Sequence, residues 1–89
     1  MTASEMHVLV SKVLLAGDIQ SRPVRNTKGG WVEVRYENQG IALWGLNEGK
    51  WSYLVLDKDG NQVDAGISLL DGDATPEEVA QHIACFEHF

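Results

Sequence analysis

The chain has 89 residues, of which 44% are hydrophobic and 22% charged, and 13 acidic residues against 7 basic ones give a formal net charge of −6. That size fits one domain over residues 1–89, and the composition excludes collagen-like, coiled-coil and disulfide-scaffold chains and argues against disorder. An acidic chain repels a phosphate backbone, which argues against general nucleic-acid binding.

Residues 4–15 carry Met6, Leu9, Val10, Val13 and Leu14 at the spacing of one helical face. Ser4 is the expected N-cap and Gly17 the stop. The longest apolar run here, residues 8–10, is broken by Ser11 and Lys12, so neither a signal peptide nor a membrane span is expected. A single cysteine, Cys85, cannot form an intrachain disulfide and fits a reducing cytoplasm. Residues 18–30, with Pro23, Asn26, Gly29 and Gly30, predict a long loop with a short strand near Val24.

Four runs rich in Val, Ile, Trp and Tyr follow, at 31–36, 41–46, 51–57 and 62–69, separated by turn residues that include Asp59-Gly60. Short connections join antiparallel neighbours. The last helix opens at Thr75 as N-cap, with Pro76 at N1 and Glu78 as the capping-box acid. Its apolar stripe is Val79, Ile83 and Phe86. The expected fold is α+β, a four-stranded antiparallel meander with an N-terminal and a C-terminal helix on one face (α-β-β-β-β-α).

Four-residue turns would set Tyr36 opposite Ile41, Leu46 opposite Trp51 and Asp57 opposite Gln62. Side chains alternate along a strand and paired residues share a face. One face would then carry Val32, Val34, Tyr36, Ile41, Leu43, Leu54, Leu56, Val63, Ala65, Ile67 and Leu69 as the core. The other would hold Trp31, Glu33, Arg35, Trp44, Trp51 and Tyr53, and two helices cannot cover it as well. Trp and Tyr bury roughly 150–250 Å² each, so an exposed cluster of them marks an interface. A one-residue slip in any turn would reverse the assignment.

Little points to chemistry. His82, Cys85 and His88 follow no zinc spacing, His88 falling about 240° around the helix from His82. Cys85 is expected to pack against the helix. The segment from Asp57 to Asp64 has Gln62 and Ser68 where a calcium loop needs Gly and Glu. Lys28-Gly29-Gly30 forms no P-loop. His7 has no evident triad partner and is expected at the surface. No catalytic, metal or cofactor residues are assigned.

The basic residues Arg22, Arg25 and Lys28 lie in the 18–30 loop with Asp18 as its one acid, whereas from Leu56 onward Lys58 stands alone against eight acids. This separation supplies electrostatic selectivity. The expected function is a non-catalytic protein-binding module, a small adaptor or inhibitor, that binds another protein or itself as a homodimer. Its binding residues would be Trp31, Glu33, Arg35, Trp44, Trp51, Tyr53, Arg22 and Arg25. In size, acidity and lack of catalytic groups it resembles phage-encoded inhibitors of host defence, such as anti-CRISPR proteins, a likeness of general character that no motif carries. The alternative is a small-ligand sensor or enzyme with its site between the tryptophans and residues 18–30.

Overall fold

Two threonines start the two helices in the same way, each sitting in extended backbone with its hydroxyl accepting an amide N–H of the first turn. The computed structural model describes residues 2–25, 29–36 and 40–86. In it, α1 runs over Ala3–Ala16 after Thr2, and α2 over Pro76–Ala84 after Thr75. The capping box at Thr75 and Glu78 forms as expected. The α1 cap lies two residues earlier than expected, and Ser4 instead donates to the Gly29 carbonyl at 3.0 Å. Gly17 closes α1.

Between the helices lie five strands rather than four: β1 (Gln20–Val24), β2 (Trp31–Arg35), β3 (Ile41–Asn47), β4 (Lys50–Leu56) and β5 (Gln62–Asp71). They form one antiparallel sheet in chain order. The added strand, β1, has low intrinsic strand preference, with Gln20, Arg22 and Pro23 among its five residues. It forms because β2 offers it a partner, and it can hold Pro23 because it is an edge.

The register corrects the face assignment. Arg35, not Tyr36, stands opposite Ile41, so five residues separate β2 from β3. Glu37, Asn38 and Gln39, expected in this turn, lie outside the described residues. The odd count reverses β3 relative to β2, and the following strands are reversed with it. The two-residue turn from β3 to β4 is a I′ type, with positive φ at Glu48 and Gly49, and it keeps Leu46 opposite Trp51 as expected. The helix-covered face is therefore Val32, Val34, Ala42, Trp44, Trp51, Tyr53 and Val55. The bare face is Trp31, Glu33, Arg35, Ile41, Leu43, Leu54, Leu56, Ala65 and Ile67.

Trp44 and Trp51 thus belong to the core, with no exposed surface, together with Val10, Leu14, Val32, Val34, Val55, Val79 and Ile83. Trp44 meets His82 and Phe86 edge-on, and its indole N–H donates to Tyr36 Oη at 3.3 Å. Tyr36 in turn donates to the Ile83 carbonyl at 2.9 Å, and burial pushes its phenol up to about 12. Trp51 packs edge-on against His7, but its indole N–H finds no acceptor among the described residues. Tyr53, partly buried, lies over Gly66, where a Cβ would come within 2.7 Å of the phenol oxygen.

β5 follows β4 with two irregularities. Val63 is an extra residue near its start. Farther along, three residues (68–70) stand against Trp51 alone. Leu69 is thrown fully into solvent there, while Ser68 Oγ accepts the Leu70 N–H at 3.1 Å. Val63, Ile67 and Leu69, expected in the core, are all exposed.

Trp44→Ala and Trp51→Ala should each cost about 3–5 kcal/mol, whereas Trp31→Ser should cost less than about 1 kcal/mol. Urea unfolding of the three variants measures the difference.

Candidate functional site

The open face of the sheet reads as three rows across the strands. Gln20, Arg35, Ile41, Leu56 and Gln62 form one, and Arg22, Glu33, Leu43, Leu54 and Ala65 form the next. In the third, Val24 pairs with Trp31, Gly45 with Ser52, and Ser52 with Ile67. Continuing the β2–β3 register sets Trp31 beside Gly45, and a Cβ on Gly45 would lie 3.8 Å from the Trp31 Cβ. The third row is bulky at both ends and small in the middle. The result is an open groove of about 420 Å³ lined by Gly30, Trp31, Leu43, Gly45, Ser52 and Leu54, among others.

Above the groove, Glu33 gathers the face's charges. Arg22 Nε reaches its carboxylate at 2.6 Å and Arg35 Nη2 at 3.5 Å. The Glu33 side chain is 12% exposed, while Arg22 and Arg35 are 71% and 64% exposed. Such surface pairs add little stability. Their effect is to leave one net positive charge at the β1–β2 side of an otherwise apolar face. Of the expected binding residues, the structure brings Trp31, Glu33, Arg35 and Arg22 together here. It leaves Arg25 exposed beyond the end of β1 and removes Trp44, Trp51 and Tyr53 to the opposite face. Lys28 and His88 lie outside the described residues.

Residues that lacked a surface signal shape the groove from behind. Gly29 and Gly30 both have positive φ, and a Cβ on Gly30 would fall 1.8 Å from the Val24 carbonyl oxygen, so only glycine fits. The Gly29 carbonyl takes the Ser4 hydroxyl and His7 Nδ1–H, each at 3.0 Å. His7 Nε2 accepts the Leu46 N–H at 3.0 Å. A carbonyl can only accept and an amide can only donate, so these partners fix the neutral Nδ1–H tautomer. His7 is buried rather than superficial. It ties the segment before Trp31 to the end of β3 that lines the groove. The only sequence signal for this was its position beside the apolar stripe of α1.

Burial lowers the His7 pKa from 6.5, opposed by its bond to Gly29. Protonation would also force Nε2 to donate toward an amide that donates already. Elsewhere, Asp57 accepts the Asp59 and Asn61 amides at 2.9 Å each. Its pKa is lowered, chiefly by the Asn61 amide. This is the capping of a turn. Among the described residues, no three His, Cys, Asp or Glu side chains could share a metal ion, and no helix is long and apolar enough to cross a membrane. Cys85 is exposed at the end of α2, not packed as expected.

Compared with known protein families, curated proteins and solved structures, the chain matches none.

The folded pKa of His7 is below its unfolded value, so the folded state binds fewer protons. The stability this confers is complete above pH 6.5 and lost as pH falls below it. Denaturant melts from pH 7.5 to 5 should show that loss, and His7→Gln should flatten it while lowering stability at pH 7.5 by about 1–3 kcal/mol. Cys85 should react with a thiol reagent in the native protein at nearly the rate seen after unfolding; protection by folding would show that it is covered.

Proposed function

We propose that the protein is a non-catalytic protein-binding module that works through the open face of its sheet. The observation that carries this is a continuous apolar surface, Trp31, Ile41, Leu43, Leu54, Leu56 and Ile67, over which no helix lies among the described residues. Large bare apolar patches are uncommon on monomers and mark interaction surfaces. A half-exposed tryptophan beside arginines matches the make-up of binding hot spots. The groove is wide and open, and its lining holds no charged group. This suits an apolar side chain of a protein better than a small polar substrate, which needs convergent polar groups. Small size and acidity fit an adaptor or inhibitor, and the acidic β5 side suits a partner with basic residues at its rim.

A photo-crosslinking amino acid at Leu54, expressed in the native host, should give a discrete protein adduct, while the same group at Lys12 on α1 should give none. An adduct of twice the chain mass identifies a second copy, and another mass a different protein. Absence of any adduct at position 54 overturns the proposal.

A further inference from the structure

Gly45 occupies the centre of the open face, and the fold does not require a glycine there. Its backbone is not in the positive-φ region, and a Cβ would meet only ordinary contacts, at 3.6 and 3.8 Å. Gly30 and Gly66 differ, since a Cβ at either would collide with its neighbours. A glycine inside a central strand weakens it and often marks a bulge, a bend or a place where a ligand or another backbone approaches closely. The fold tolerates Gly45 at a cost, and what Gly45 supplies is the notch between Trp31 and Ile67.

We infer that this notch receives Trp31 of a second copy of the chain, in a twofold dimer with the two open faces packed together. The inference rests on the open face being a protein-binding surface. Two in-plane twofold operators keep the strands of the stacked sheets aligned. An axis across the strands lays β1 over β1, setting Arg22 against Arg22 and leaving Trp31 away from the notch. An axis along the strands, under β3, lays β2 over β4 and β1 over β5. Trp31 then stands above Ser52 and beside Gly45 of the other copy, and the same contact recurs by symmetry. Arg35 stands above Leu56 of the other copy, beside Asp57. The side carrying Arg22 and Arg35 faces the side whose β4–β5 turn carries Asp57 and Asp59. Shape and charge select the same operator.

The face is five strands wide at about 4.8 Å each, and roughly 20 Å long at about 3.3 Å per residue. Pairing two such faces buries on the order of 1,000 Å², at the low end for specific complexes. The expected dimer therefore dissociates in the micromolar range.

Light scattering after size exclusion, over a concentration series, should show a monomer–dimer equilibrium. Gly45→Val fills the notch and Trp31→Ser removes the knob; each should raise the dissociation constant by about ten-fold or more, with the monomer's far-ultraviolet spectrum and melting retained. In a Cys85→Ser background, Leu43→Cys lies on the axis and should self-crosslink with a short bismaleimide, while Arg22→Cys should not. A monomer at all concentrations, dimerisation unaffected by both groove variants, or crosslinking at position 22 overturns the inference. A monomer that still gives an adduct of other mass from position 54 removes the dimer and leaves the binding module. A monomer with no adduct removes both.

Discussion

Each helix is seated on one tryptophan. His7 of α1 meets the Trp51 ring, while His82 of α2 and Phe86 meet Trp44. A fully buried tryptophan removes roughly 150–250 Å² from water, worth about 4–6 kcal/mol as an upper estimate. Among the described core side chains these two rings are the largest. With both rings facing the helices, no described element is left to cover the reverse side, where Ile67 is exposed and Ile41, Leu43, Leu54 and Leu56 are partly exposed. The core and the candidate site are two outcomes of one orientation.

That orientation was not legible in the sequence, for a physical reason. Ile41, Ala42, Leu43 and Trp44 are consecutive apolar residues, as are Leu54, Val55 and Leu56. Either face of β3 or β4 could serve as a core, so alternation could not choose, and the choice passed to the turn after β2. A five-residue connection reads much like a four-residue one, yet it exchanges the faces. By contrast, the Thr75–Glu78 box, the stripe of α1 and the strand runs themselves were readable, because each depends on local spacing alone. β1 was only partly readable, since it owes its form to its neighbour. Of the site, Trp31, Glu33, Arg35 and Arg22 were legible because β2 was oriented correctly. The glycine notch and the His7 bridge needed three-dimensional contacts.

The bridge places a buried ring at the back of the groove. His7 satisfies one carbonyl before Trp31 and one amide of β3, polar groups that would otherwise be costly so close to the core. Trp51, its ring neighbour, has an indole N–H with no acceptor among the described residues. The groove is shaped by hydrogen bonds on its far side as well as by the residues lining it.

Both margins of the sheet discourage further strands. Pro23 deprives β1 of an amide donor, and the outward loop at 68–70 breaks the line of β5. Lateral addition, the route by which exposed sheets grow into filaments, is obstructed at each end. Association through the broad face alone consumes that face in a single step. If the open face takes a partner as proposed, the complex closes on itself, because neither edge of the sheet offers a straight line of donors to extend it.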